Sequence, residues 1–298
     1  MMTITQYILL AEPGLNAIWH EAETPVERQY TKLLNIGSME KMTETDAKMA
    51  GFGALQQQDE AGSIIYDNAL TPVTVDYTYV VRALGYKITD RLARDELYSQ
   101  VELFERDLQR AAEDDQETFA FALLLNATAT TIATGFDGLA LASTAHTRLD
   151  GGSTQANRPT SLGALSLANL HTGIIQFRKW VNDRGRPIRG RPKTLLVPPD
   201  LELTGIELLQ STDRPDTANR ATNAVSRWGL DLTVSEYLTG TTTYWSLIGD
   251  KHDINFKWRF KPESGTEVDF DTDVAKRKVR QGMARGFGHW MGYYQGNT

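Results

Sequence analysis

The chain has 298 residues, 41% hydrophobic and 23% charged, with a formal net charge of −7; this ordinary globular balance excludes a disordered chain and a protein that coats nucleic acid through its overall field. It holds no cysteine, which excludes disulfides, thiolate metal sites and cysteine nucleophiles. No apolar run approaches the roughly 18 residues of a membrane span, and the start MMTITQYILLAEPG lacks a signal-peptide pattern, so a soluble, unexported product with no membrane partner is expected.

Residues 1–50 mix short apolar pieces (Tyr7 to Leu10, Leu15 to Trp19, Leu33 to Ile36) with charged stretches, a pattern too broken for a compact unit, and predict an extended N-terminal arm. From Gly51 a Gly- and acid-rich corner, DEAGSIIYDN, leads into TPVTVDYTYVVRALGYKIT. There Val73, Val75, Tyr77, Tyr79 and Val81 alternate with Thr74, Asp76 and Thr78, the period of two of a half-buried strand. The stretch 51–88 predicts a long two-stranded β-hairpin. An isolated hairpin is marginal in water. Since no third strand stands nearby in sequence, the face of Val73, Val75, Tyr77 and Tyr79 is expected to meet a neighbouring subunit, the alternative being that it folds back on its own domain.

A short helix is predicted from Thr89, then a long one opened by Ser99-Gln-Val-Glu102, which has capping-box spacing. Val101, Phe104, Leu108, Ala111, Ala112, Phe119, Ala122 and Leu123 form its apolar stripe; Glu102, Glu105, Asp107, Glu113, Asp114, Asp115 and Glu117 read as a solvated face. Residues 128–160 are Gly-, Thr- and Ser-rich and predict a loop. A second amphipathic helix is expected from Ser166 to Arg184, with Gly185 ending it. KTLLVPP reads as a buried strand, Asp200 as the cap of a short helix through Gln210, and from Asn223 onward LDLTVSEYL, TTYWSLIG, INFKWRF and VRQGMARGFGHWMGYYQG as strand-rich stretches.

Little in this chain suggests chemistry. His20, His146, His171, His252 and His289 are scattered, with no HxxxH or HxH pair, so neither a metal nor a cofactor site is expected. Asp137, Ser143 and His146 superficially suggest a hydrolase triad, but no GxSxG elbow accompanies them, and hydrogen bonds that pin a loop are the simpler expectation. The glycines of RGFGHWMG lack the Lys-Ser/Thr of a phosphate-cradling loop. The basic cluster Arg178, Lys179, Arg184, Arg186, Arg189, Arg191 and Lys193 is expected to form salt bridges between subunits through Arg184, Arg186, Arg189 and Arg191, phosphate contact being the alternative.

The order of these pieces resembles tailed-phage major capsid proteins of the Hong Kong 97 fold, within them the Mu-type major head subunits. EAGSIIYDNALTPVTVDYTYVVRALGYKITDRLARDEL is similar to the family's extended loop running into its spine helix, GFDGLALASTAHTRLDGGSTQANRP to its Gly-Leu, Ser and His loop, and GRPIRGRPKTLLVPPDLELTGIELLQS to the step into the axial domain. The resemblance implies an α+β fold with an N-terminal arm at 1–50, an extended β-hairpin loop at 51–88, a peripheral domain with the spine helix at 89–190, an axial domain at 191–262 and return strands at 263–298. It implies a non-enzymatic subunit, assembled in the host cytoplasm into hexamers and pentamers of an icosahedral virion shell around double-stranded DNA held without sequence-specific binding. A portal and separate scaffolding and decoration proteins would be further partners. Two departures stand out. The recognisable loop begins about 50 residues from Met1, so no cleaved scaffolding leader is expected, and no lysine lies between Lys48 and Lys87 for an isopeptide cross-link. An encapsulin-like cellular compartment is the nearest alternative, and a Ser143/His146 hydrolase a remote one.

Overall fold

The computed structural model describes residues 28–55, 57–58, 64, 66–68, 70–89, 98–211, 222–269 and 274–297. Residues 1–27 of the expected arm, the corner at 59–63 and the expected short helix after Thr89 lie outside the described residues.

The elements in chain order are α1 (Tyr30–Leu33), β1 (Asn35–Ser38), β2 (Thr43–Lys48), β3 (Val73–Thr78), β4 (Val80–Thr89), α2 (Tyr98–Leu125), α3 (Leu167–Lys179), β5 (Pro192–Val197), a 3-10 turn (Pro199–Leu201), α4 (Glu202–Gln210), a second 3-10 turn (Val225–Trp228), β6 (Asp231–Val234), β7 (Trp245–Gly249), β8 (Ile254–Asp269), β9 (Val274–Phe287) and β10 (Tyr293–Asn297). They form two four-stranded sheets, β1-β8-β9-β4 and β10-β7-β5-β6, and a ribbon of β2 with β3.

The first sheet is built on the antiparallel pair β8–β9, with β4 antiparallel along β9 and β1 parallel beside β8. The second is buried on both faces, which explains the unbroken apolar run of KTLLVPP. Alternation sends Leu196, Ile248 and Tyr293 into one core with Phe119, Phe256 and Phe287, and Leu195, Val197, Trp245 and Leu247 into another with Leu170, Ile174 and Phe177 of α3 and Trp180 just beyond it. Ser166 caps α3 by accepting the Asn169 N–H at 3.3 Å.

Several expectations need correction. Residues 28–48 are not an extended arm: Tyr30 and Leu33 enter the first core, β1 extends the first sheet and β2 pairs with β3. The expected hairpin is instead β2 paired with β3, while β4 leaves the ribbon to join β9. The long helix is described from Tyr98 onward, and the expected capping role of the Ser99 side chain lies outside what is described. Its acidic face is partly buried. Glu117 accepts the Gln29 and Tyr30 N–H groups at 2.8 and 3.1 Å, closing the open start of α1, and Asp115 meets Arg82 at 2.6 Å. The second helix stops at Lys179, where Trp180 turns extended (ψ 139). Asp200 sits inside the 3-10 turn, and α4 starts after Leu201 without a side-chain cap. The expected return strands divide: β9 lies in the first sheet, β10 in the second beside β7. The loop at 128–160 is irregular, as its composition predicts.

The contact joining α2 to the first sheet is an ion pair with no solvent access to speak of. Glu105 accepts from Arg277 Nε and Nη2 at 2.6 and 2.7 Å and from Tyr86 OH at 2.8 Å, and the two charged side chains are 0% and 2% exposed. Removing one partner leaves a buried charge unmatched, so Arg277→Met is expected to lower the unfolding free energy of the unassembled subunit by about 3–5 kcal/mol, measured by denaturant titration, while Glu105→Leu with Arg277→Met recovers most of that loss.

Candidate subunit interface

Between β2 and β3 the chain makes a long excursion, residues 49–72, without regular structure among its described residues. Both of its ends are gripped by one turn of the second half of the chain. Arg184 Nε donates to the Gly51 carbonyl at 2.9 Å and Nη2 to the Asn68 carbonyl at 2.5 Å, with Asp67 at 3.5 Å. Next to it Asp183 meets Lys48 at 2.5 Å. Across the loop, Gly53 N–H donates to Asp67 at 2.6 Å.

The gripping turn is itself rigid. Asn182 Oδ1 accepts the N–H groups of Arg184 and Arg186 at 3.0 and 2.9 Å, the Gly185 N–H closes on the Asn182 carbonyl at 2.9 Å, and Gly185 supplies the left-handed backbone (φ 73) this geometry requires. Arg189 also takes positive φ (58), an uncommon and mildly strained setting for a residue with a Cβ.

The eight residues expected at subunit contacts separate into four groups. Val75 and Tyr77 are buried inside their own chain with Met39 and Ala284, and Tyr77 also receives a bond from Asn255 at 3.0 Å and lies under the Lys257 ammonium. Their face therefore folds back on its own chain, because β9 brings in a partner more than 200 residues away in sequence that a local search could not find. Val73 and Tyr79 at the ribbon's ends are half-buried. Arg184 is engaged within its chain, whereas Arg186, Arg189 and Arg191 are exposed, with no carboxylate in salt-bridge reach among the described residues. What sequence periodicity missed is the excursion itself: Phe52, Leu55 and Tyr66 are 67%, 100% and 87% exposed, and Met49 and Ile64 accompany them. They have no period to detect, and the signal was apolar residues persisting through a Gly-rich stretch.

The supposed triad is a structural knot. His146 is fully buried, its Nδ1 2.6 Å from Asp137 and its Nε2 3.1 Å from Asn157 Oδ1, with its ring stacked on Trp290; Ser143 instead has its N–H bonded to the same Asn157 oxygen. With both imidazole nitrogens turned away from the Ser143 hydroxyl, the arrangement pins the loop.

A family model described as phage capsid protein matches residues 72–295. The chain belongs to that family. It is a phage capsid protein, a structural component of the virion. No curated protein matches it in sequence. Among solved structures it is similar to one from Mycobacterium phage Adephagia (14% identity, 90% of this chain and 89% of that one, TM-score 0.55), to the bacteriophage JBD30 capsid (15%, 73% and 92%, 0.58) and to the capsid of Myoviridae phage XM1 (11%, 87% and 88%, 0.53). These likenesses establish the mixed α+β capsid fold.

In the capsid protein the loop root is also an electrostatic site. Burial, reinforced by Lys48, holds the His289 imidazole down to about 4, and Nδ1 accepts the Met291 N–H at 3.0 Å, a bond that a protonated ring would lose. Burial raises the Asp183 carboxyl, but its bond to Lys48 and the Lys48 charge outweigh this and leave it lowered. Both groups act in the same direction. His289 is neutral in the folded state and its unfolded value is about 6.5, so its contribution is complete above that pH and is lost as pH falls toward 4. The Asp183 contribution follows at still lower pH. Hydrogen exchange at 49–55 and 66–72, corrected for intrinsic rates, should therefore rise between pH 7 and pH 4, and Arg184→Ala should produce a comparable rise already at pH 7.

Proposed function

We propose that copies of this chain ring into hexamers and pentamers and that each copy lays its 49–72 excursion across a neighbour, closing the icosahedral shell around double-stranded DNA. The observation that carries this reading is the exposure of Phe52, Leu55, Ile64 and Tyr66 on a segment whose two ends are clamped. Each such side chain contributes about 1.5–3 kcal/mol when buried, and a lone subunit leaves that contribution unrealised. Arg186, Arg189 and Arg191 supply a second contact, to carboxylates of an adjacent copy. The net charge of −7 supports that choice over DNA, which the inner wall encloses without sequence-specific grip.

In domain terms, residues 89–190, with the long helix α2, form the peripheral domain, residues 191–262 the axial domain, and residues 263–298 return to the peripheral domain. Scaffolding, decoration and portal proteins complete the head as separate partners, and the order of the sequence motifs supports a place near the Mu-type subunits. Closure lets individually weak contacts suffice, because each later contact in a ring is effectively intramolecular.

Replacing Phe52, Leu55, Ile64 and Tyr66 together by serine should leave a folded, soluble subunit that forms no shells. Circular dichroism and electron microscopy check the two halves of that statement, and normal particles from this variant would sink the proposal.

A further inference from the structure

Two histidines line one groove at the root of the excursion. The groove, about 530 Å3 and open to solvent, runs beside Met49, Ala50 and Gly51 and is lined on the stretch before β8 by His252 and on the stretch before β10 by His289. Both imidazoles act as acceptors for the backbone two residues on. His252 Nδ1 takes the Ile254 N–H at 3.4 Å and His289 Nδ1 the Met291 N–H at 3.0 Å, and each bond requires the unprotonated nitrogen.

The carboxylates that face these rings are already committed. Asp183, on the turn after α3, holds Lys48 at 2.5 Å; Asp253 accepts the His289 N–H at 3.0 Å and the Asn255 amide at 2.8 Å; Asp137, in the irregular loop, is bound to His146. The facing cations are Lys48 at the end of β2, Arg184 on the turn, Lys251 beside His252 and Lys193 on β5. An imidazolium at either position therefore finds cations close by and no carboxylate to spare. At 289 it would also share a cavity of about 20 Å3 with Lys48 and Asp183, and would compete with Lys48 for that carboxylate. The bond so disturbed is the one that fixes where β2 ends and the excursion begins. Burial disfavours the charged ring at both positions as well.

We propose that this groove is an acid-operated latch: proton uptake by His252 and His289 together frees the root of the excursion, so that an assembled shell opens in acid before its subunits unfold. The inference rests on the assembly reading above and adds the condition that undoes the contact. Both rings gain protons more readily once the groove has opened, so the latch is fully closed above the ordinary histidine value of 6.5 and yields as pH falls toward 4.

Particles formed at pH 7 are taken stepwise to pH 4 and followed by sedimentation, with circular dichroism reporting the fold of the same samples. The unaltered chain is expected to lose particles while its dichroism holds. His252→Asn combined with His289→Asn keeps an oxygen that accepts each N–H but takes up no proton, and should move the midpoint of that loss down by about one pH unit. Equal midpoints, or particles that dissolve only as the fold is lost, overturn the latch and leave the assembly reading standing; failure of the unaltered chain to form particles at pH 7 overturns that reading itself. Should the double variant not fold, Lys251→Glu decides: it offers an imidazolium a carboxylate within the closed groove and should lower the midpoint in the same direction, and an unmoved midpoint overturns the latch.

Discussion

The pairing of Glu105 with Arg277 joins residues 172 positions apart in the chain and fixes how the long helix sits on the first sheet. Such a pair is a weak net stabiliser compared with apolar side chains of the same shape, but it is a strong specifier, since any other rotation of the helix would strand two charges in the core. The same rotation brings Asp115 to Arg82 and Gln116 to Gln281, so one polar ladder runs down the helix and matches cations and amides on β4 and β9. Leu108 and Ala112 then close on Val279 between the polar contacts. The acidic residues of the helix are thus part of its seat.

From that seat the position of everything functional follows. β4 is held to β9 over its full length, and β3 precedes it by a single residue, so the direction in which the ribbon leaves the body is set by the sheet. The ribbon is then stopped from peeling away by Val75 and Tyr77, buried under Met39 and Ala284. Only beyond this anchor does the chain become free of its own core, and there Arg184 and Asp183 take hold of its two ends. A projecting segment is useful in assembly only if it reaches in a defined direction, and these clamps limit the conformational freedom it would otherwise surrender on binding.

Much of this was legible in the residues. The strand alternation at 73–79, most of the apolar stripe of the long helix, the start of the second helix near Ser166, the buried strand at Leu195 and the irregular loop at 128–160 all follow from local spacing, and the structure agrees with them. What local spacing could not reveal was pairing at long range. β1 is four residues that gain a sheet only from β8, β10 reads as a continuation of β9 until Tyr293 is seen beside Ile248, and the ribbon's apolar face looked unpartnered because its partner is near the end of the chain. The same limit applies to charge. A run of carboxylates reads as solvated when it is viewed along one helix, and Glu105 and Glu117 are buried because of what other segments bring to them. Arg184 differs from Arg186, Arg189 and Arg191 in nothing the sequence displays; one turn of backbone directs it inward and the others outward.

The chemistry available for holding copies together is narrow, and this narrowness favours many modest contacts over a few strong ones. With no cysteine in the chain and no lysine between Met49 and Tyr86, the excursion can be welded neither by disulfides nor through a lysine of its own. What it offers is apolar side chains, which bind without direction, and the arginine turn offers guanidinium groups, which bind with it. On the proposed assembly, burial of Phe52, Leu55 and Tyr66 against a neighbouring copy tolerates small differences in angle, because apolar contact degrades gradually with displacement. A guanidinium hydrogen-bonded to fixed acceptors tolerates them less readily. On that proposed assembly the non-directional contacts belong to the long excursion, where displacement is amplified by reach, and the directional contacts to a short rigid turn close to the body, where displacement is least.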